Sequence, residues 1–166
     1  MTEQEEYGAL RADGDRAAVR FERRYAGSPT DVWTALTEPD QVRRWLAEVV
    51  DGAIEPGGEF TFRWNEDDAQ TTRCAVLRFD PPRTLELRWD FVGEPASVLR
   101  IDLSPAEGGS TLLLLDHRQL PPAQAAGYGA GWHAYLSALA DLDPAAWDAR
   151  FAELLPAYRE QYAALG

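Results

Sequence analysis

The chain has 166 residues, 45% of them hydrophobic and 27% charged, which is typical of one globular domain and excludes disordered, collagen-like and coiled-coil proteins. The net charge of −12 disfavours a nucleic-acid partner, because binding to phosphates requires a basic surface. One cysteine, Cys74, and two histidines, His117 and His133, are too few for a disulfide framework or a zinc cage. We therefore expect no metal and no cofactor, and we expect Cys74 to be a core residue.

The chain begins with a strand followed by two short helices. Apolar and charged residues alternate over residues 19–25, as in a half-buried β-strand. Residues 7–10 either pair back on this strand or form an acidic tail, and both alternatives stay open. Ser28, followed by a proline and then an acid, predicts the start of a helix. Pro39 predicts the start of a second, shorter helix.

Five further strands are expected between residues 53 and 118, where short apolar segments are separated by turn signals. The turns contain glycine, proline, asparagine or aspartate. The pattern does not show which residues of segment 73–79 face the core. The predicted strands cover residues 60–64, 73–79, 85–91, 99–103 and 111–117.

The remainder of the chain is predicted to be helical. Aromatic and leucine residues recur every three or four positions over residues 128–142, as on the buried face of a helix. A last helix is expected from Asp143 onward, and Pro156 should kink or end it. Strands followed by helices predict an α+β domain. We divide this single domain, 1–166, into residues 1–17 (extension or hairpin strand), 18–142 (core) and 143–166 (additional helix).

Several short motifs occur in a recognisable order. They are residues 23–36 (RRYAGSPTDVWTAL), Trp45, Gly57-Gly58, residues 80–89 (DPPRTLELRW), residues 109–117 and residues 131–136. These motifs resemble those of proteins related to the C-terminal domain of the activator of the heat-shock-protein-ninety ATPase. The resemblance implies the START-like (SRPBCC), birch-pollen-allergen-like helix-grip fold. In that fold a curved antiparallel sheet, here of six predicted strands, wraps around a long C-terminal helix and often encloses an apolar cavity.

The resemblance also bears on function. Members of this superfamily bind lipids, hormones or polyketides, and a few are cyclases or hydrolases. It therefore implies that the chain binds a small hydrophobic or amphipathic molecule in a cavity, without catalysis. Two alternatives stay open: an interaction module with a chaperone partner and a role in stress responses, or a cavity enzyme of the cyclase or hydrolase type with His117 as acid or base.

Seven residues are predicted to bind the ligand. Strand alternation turns Arg23 and His117 inward on the first and last strands, which are neighbours in this fold. Together they are predicted to form a cationic spot suited to an anionic or carbonyl end of the ligand. The alternative is that Arg23 pairs with an internal acid and His117 caps a strand end. The predicted ligand-binding residues are Arg23, Phe62, Trp64, Trp89, His117, Tyr128 and Trp132, and no catalytic residue is predicted.

Two other features carry expectations about packing. Gly127, Gly129 and Gly131 begin the long helix, and they indicate either a close approach of this helix to the sheet or a flexible mouth. Leu112 and Leu114 fall on the outer face of the sheet. We expect them and the apolar stripe of the last helix to cover each other or to pack in a homodimer.

The N-terminal segment lacks the basic and apolar regions of a secretory signal. No apolar run approaches the roughly 20 residues that a membrane helix requires. We therefore expect a cytoplasmic protein without a membrane span.

Overall fold

The computed structural model describes residues 7–65, 67–141 and 147–166. The strands are β1 (Ala9–Asp13), β2 (Arg16–Tyr25), β3 (Glu48–Val50), β4 (Glu59–Arg63), β5 (Thr71–Asp80), β6 (Thr84–Phe91), β7 (Ser97–Pro105) and β8 (Thr111–Leu120). The α-helices are α1 (Pro29–Thr37), α2 (Pro39–Val42), α3 (Ala125–Asp141) and α4 (Trp147–Ala163).

The strands form one antiparallel sheet in the order β1-β2-β8-β7-β6-β5-β4-β3. The predicted α+β arrangement, with a large antiparallel sheet and a long helix after it, is confirmed. The described part of the sheet has eight strands rather than the predicted six. One addition is β1, which pairs with β2 as a hairpin. The other is β3, which has three half-buried residues and no alternation that sequence could show.

The two short helices after β2 are also confirmed. Ser28 caps α1 with a reciprocal pair of hydrogen bonds. Its Oγ accepts from the Asp31 backbone N–H (3.2 Å), and its own backbone N–H donates to Asp31 Oδ2 (3.1 Å). The buried Trp45 follows α2 and donates its indole N–H to the Ala35 carbonyl oxygen (2.8 Å), which fixes the chain after α2 against α1.

A bulge in β5 explains why the faces of this strand could not be assigned. The register with β6 shifts between Val76 and Arg78, so that Leu77 is an extra residue without a partner in the ladder. Cys74 and Val76 point into the core on one side of the bulge, whereas Leu77 is exposed. Alternation therefore changes phase within the strand, and a single period-two pattern cannot describe it.

Helix α3 covers the inner face of the sheet. The Tyr25 hydroxyl on β2 donates to the Leu136 carbonyl oxygen (2.7 Å), and Trp132 is buried against the strands. Helix α4 packs on α3 and on β1. Pro156 lies inside α4 and does not end it; Pro156 is exposed, so the carbonyl that it leaves without an amide partner can be hydrated.

The close approach expected at the glycines occurs between two helices rather than between a helix and the sheet. A Cβ added at Gly129 would lie 2.6 Å from Cδ1 of Tyr158, a buried α4 residue. The Tyr158 hydroxyl accepts a hydrogen bond from the Gly8 backbone N–H (2.7 Å) and lies 2.8 Å from His133 Nδ1. The Gln161 side chain makes two hydrogen bonds to the same segment: its Oε1 accepts from the Leu10 backbone N–H, and its Nε2 donates to the Gly8 carbonyl oxygen. Helix α4 thus ties the N-terminal strand to α3.

The expectation that α4 and the outer leucines cover each other is wrong. Leu112 and Leu114 are half-buried on the outer face of β8, and α4 packs on α3 and β1 instead. Their neighbours on β2 are charged residues, with Arg24 opposite Leu112 and Glu22 opposite Leu114. Long charged side chains can shield such leucines with their aliphatic stems. None of the described helices is both long and apolar enough to cross a membrane.

Candidate functional site

A cavity of about 260 Å³ opens between the β4–β6 end of the sheet and the two long helices. We call it the aromatic cavity, because eight of its twelve lining residues are aromatic. Strand segments, the β6–β7 turn and both long helices contribute to it. The lining residues are Trp64, Trp89, Phe91, Glu94, Gln124, Gly127, Tyr128, Gly131, Trp132, Tyr135, Trp147 and Phe151.

Tryptophans from the sheet and from α3 form a continuous aromatic wall. The ring centroids of Trp64 and Trp89 lie 5.9 Å apart, and those of Trp89 and Trp132 lie 5.6 Å apart. Tyr135 joins the wall at 5.7 Å from Trp64. Phe62, a predicted ligand contact, is buried behind this wall, 5.8 Å from Trp89, and does not line the cavity. Phe62 therefore supports the wall instead of forming its surface.

Helix α4 supplies a second part of the cavity wall, which adjoins the first at Tyr135. Trp147 and Phe151 stack at a centroid distance of 5.0 Å, and Trp147 lies 4.9 Å from Tyr135. The sequence stripe that contains them predicts a helix face, but it does not predict which element the face contacts. Gly127 and Gly131 lie on α3 beside this wall; a Cβ at Gly127 would meet no atom of the described residues within 4 Å. The small residues of α3 thus leave open the space that side chains would occupy.

His117 lies beneath the wall and is neutral. Its Nδ1 accepts from the Trp132 indole N–H (3.0 Å), and an indole can only donate, so the ring proton is on Nε2. Nε2 therefore donates to Ser97 Oγ at 2.8 Å. Burial lowers the pKa of His117 to about 3. The predicted cationic spot is therefore wrong for His117, which is neutral and fully buried.

The pairing of Arg23 with His117 is also wrong. Arg23 is opposite Leu113 across the β2–β8 ladder, whereas His117 is opposite Val19. Four residues of strand separate the two positions, roughly 13 Å at about 3.3 Å per residue. Strand alternation indicates on which face of the sheet a residue lies, but it does not show how two neighbouring strands are aligned along their length. Arg23 is half-buried over the Phe21 ring (5.2 Å) and does not line the aromatic cavity.

The polar groups of the cavity centre on Tyr128. Its hydroxyl donates to Glu94 Oε1 (2.7 Å) and accepts from the Trp89 indole N–H (3.2 Å). Burial, together with the Glu94 carboxylate, raises the pKa of Tyr128 well above its ordinary value. The phenol therefore stays protonated and remains a hydrogen-bond donor at neutral pH. Gln124 contributes the cavity's amide group.

Glu94 is the functional candidate that the sequence did not reveal. It lies in the turn after β6, three residues beyond Phe91, and nothing in its spacing distinguishes it from the other acids of the chain. The sequence signal that could have indicated Glu94 is its position, because it is an acidic residue that follows a strand with inward-facing aromatic residues. A second acid, Asp148, contributes with burial to raising the pKa of Tyr135. The electrostatic character of the cavity is therefore acidic rather than basic.

The comparisons with known proteins identify the family. The model of the family described as Activator of Hsp90 ATPase homolog 1-like protein matches residues 26–142. The chain belongs to this family. The resemblance expected from the sequence motifs is thereby confirmed. No curated protein sequence matches the chain significantly.

Solved structures extend the likeness over nearly the whole chain of this family member. The crystal structure of CalU16 from Micromonospora echinospora is 28% identical, covers 95% of this chain and 94% of its own, and has a TM-score of 0.75. The protein encoded by gene BPP1335 from Bordetella parapertussis is 30% identical, with coverages of 96% and 92% and a TM-score of 0.67. The Aha1 dimer from Colwellia psychrerythraea, 20% identical, covers 75% of this chain and 93% of its own with a TM-score of 0.65, which shows a shared fold.

Proposed function

We propose that this member of the family binds a small hydrophobic or amphipathic molecule in the aromatic cavity. The observation that carries the proposal is the cavity itself, which is lined by aromatic rings from the sheet, α3 and α4. Ligand sites are concave and mostly apolar, with a few polar groups that orient the ligand. Tyr128, Glu94 and Gln124 are such groups here.

The volume limits the size of the ligand. Sites for drug-sized molecules occupy roughly 300–1,000 Å³, and the aromatic cavity of about 260 Å³ lies just below that range. A molecule with one or two rings, or a short chain with one ring, fits this volume. Each methylene that leaves water for the aromatic wall contributes about 0.8 kcal/mol.

The alternatives have less support. A cavity enzyme with His117 as acid or base is less favoured by the geometry, because His117 is fully buried and does not line the aromatic cavity. A chaperone-binding role comes from the description of the family. The large hydrophobic side chains that are most exposed within the described residues lie on separate segments: Tyr7, Leu77, Val92 and Leu165.

A matched pair of variants tests whether binding occurs in this cavity. Phenylbutanol, phenylbutylamine and phenylbutyrate share one ring and one chain, and their binding is measured by calorimetry. Gly127→Leu places a side chain in the cavity lining, where a Cβ meets no atom of the residues described. Ala152→Leu adds the same atoms at an exposed position of α4. We expect at least one compound to bind the wild type and Ala152→Leu, and to bind Gly127→Leu at least tenfold more weakly.

Two results would contradict the proposal. One is that none of the three compounds, nor a wider panel of one- and two-ring molecules, binds the wild type; the interaction-module alternative would then take its place. The other is equal binding to the wild type and Gly127→Leu, with circular dichroism showing both to be folded.

A further inference from the structure

We infer that the ligand of the aromatic cavity is an organic cation, a one- or two-ring hydrophobic body with a single ammonium group directed at Glu94. This inference rests on the proposed function and specifies the chemical class of its ligand. It replaces the anionic or carbonyl end expected from Arg23 and His117, neither of which offers a charge to the cavity.

The first argument is that the charge of Glu94 is not compensated by the protein. Glu94 is half-buried, and its Oε1 accepts from the neutral phenol of Tyr128. No ion pair reaches Glu94 within residues 7–65, 67–141 and 147–166. Two other partly buried acids, Glu48 and Glu86, each lie within ion-pair distance of an arginine, whereas Asp13 and Asp90 have no ion pair among the described residues and do not line the cavity. Glu94 is thus left with free accepting capacity beside the cavity.

A ligand that fills the cavity changes the surroundings of this carboxylate. It displaces water from one side of Glu94, and removing water from an unpaired charge is costly. A ligand ammonium offsets that cost with a charge-assisted hydrogen bond, which is roughly twice as strong as a neutral one. A ligand hydroxyl offsets less of it, and a ligand carboxylate adds repulsion. The Glu94 carboxylate should therefore favour binding of an ammonium ligand over an alcohol, and of an alcohol over a carboxylate.

The second argument is the composition of the walls. Four tryptophans line the cavity, and the electron-rich face of an indole attracts cations more strongly than that of any other side chain. Trp89 stands beside the acidic group, because its indole N–H bonds the same Tyr128 hydroxyl that donates to Glu94. An ammonium held by Glu94 is therefore placed next to aromatic rings.

The third argument is the field around the cavity. Among the described residues that line it, Glu94 is the only charged one. The carboxylate of Asp148, on the first turn of α4, acts on Tyr135 in the same cavity wall. The chain as a whole carries a net charge of −12, which raises the local concentration of cations and lowers that of anions. Glu94, Asp148 and the net charge of the chain therefore all favour a cationic ligand.

The charge series of phenylbutyl compounds tests this inference directly. Its three members have the same carbon frame and differ in a cationic, neutral or anionic end. We expect the wild type to bind phenylbutylamine roughly tenfold or more tightly than phenylbutanol, and phenylbutyrate most weakly. In Glu94→Gln the ratio of amine to alcohol affinity should fall towards one. Glu107→Gln, which removes an exposed acid outside the cavity, should leave the ratio unchanged.

Tyr128→Phe provides a second variant. It keeps the carboxylate and removes the phenol that donates to it, so the preference for the amine should persist. If the wild type binds the alcohol or the carboxylate as tightly as the amine, the inference fails while the proposed function stands. If Glu94→Gln keeps the wild-type ratio, the preference does not come from Glu94 and the assignment fails. If no compound of the series or the wider panel binds, the proposed function fails with it.

Discussion

The indole N–H of Trp132 donates to Nδ1 of His117 at 3.0 Å, and both side chains are buried. This bond joins α3 to β8 and fixes the tautomer of the histidine. It also holds one face of the aromatic cavity, because Trp132 lines the cavity and His117 lies behind it. The cavity wall and the core of the fold therefore depend on the same hydrogen bond.

Replacing tryptophan by phenylalanine at two cavity positions separates the contribution of the hydrogen bond to His117 from the contribution of lining the cavity. Trp132→Phe removes a donor and leaves His117 Nδ1 buried without a partner. Trp147→Phe removes an indole N–H that is buried and has no hydrogen-bond partner among the residues that the structure describes. We expect Trp132→Phe to lower the free energy of unfolding by roughly 1–3 kcal/mol more than Trp147→Phe does. Urea unfolding of both variants measures the difference, and equal losses would show that the bond to His117 contributes nothing to stability.

The buried histidine makes stability depend on pH. His117 has a pKa of about 3 in the folded protein and an ordinary value of 6.5, so the unfolded chain takes up a proton first as the pH falls. Its contribution to stability is fully present above about pH 6.5 and is lost progressively below it, down to about pH 3. Between about pH 7 and pH 5 the wild type should lose about 2 kcal/mol from this group.

His117→Gln lacks this titration and serves as the control for the pH dependence. Its free energy of unfolding should be lower at neutral pH but should change less between the two pH values. Urea unfolding at both pH values measures the comparison. Parallel pH profiles for the wild type and the variant would contradict a neutral buried His117.

The sequence predicted elements better than it predicted the site, for physical reasons that particular residues show. The capping signal at Ser28 and the alternation over β6 are local patterns, so they can be recognised in the sequence without knowledge of the fold. Arg23 and His117 share a face as predicted, but the β2–β8 register that separates them depends on long-range pairing. Glu94 reaches the cavity only because α3 brings Tyr128 to the β6–β7 turn, and no local pattern encodes that contact.

Two glycines of α3 should respond in opposite ways to the same substitution. Gly129→Ala forces a Cβ within 2.6 Å of the buried Tyr158 ring, so α4 must move away from α3. The Cβ of Gly127→Ala meets no atom within 4 Å in the described part of the chain, and the substitution gains up to about 1 kcal/mol of helix propensity. Thermal unfolding should show a lower midpoint for Gly129→Ala and an equal or higher one for Gly127→Ala. A stable Gly129→Ala protein would show that the helices do not depend on this close approach.

Tyr158 should control the stability of the N-terminal strand. Tyr158→Phe removes the hydroxyl that accepts from the Gly8 N–H and contacts His133 Nδ1. We expect faster amide hydrogen exchange in β1, with a loss of roughly 1–3 kcal/mol in the free energy of opening, and little change in β6 and β7. Tyr162→Phe, on a half-buried tyrosine of the same helix, is the matched control. Unchanged amide exchange of β1 in Tyr158→Phe would contradict the conclusion that the Tyr158 hydrogen bonds hold this strand against α4.

The most direct test of ligand binding uses the six tryptophans as internal reporters. Trp64, Trp89, Trp132 and Trp147 line the aromatic cavity, whereas Trp33 and Trp45 pack elsewhere in the core. A proton–nitrogen correlation spectrum resolves the indole N–H signals, and single Trp→Phe variants assign them. Titration with phenylbutylamine should shift signals of the four cavity tryptophans and leave those of Trp33 and Trp45 in place. Shifts confined to Trp33 and Trp45, or no shift at saturating ligand, would contradict binding in the cavity.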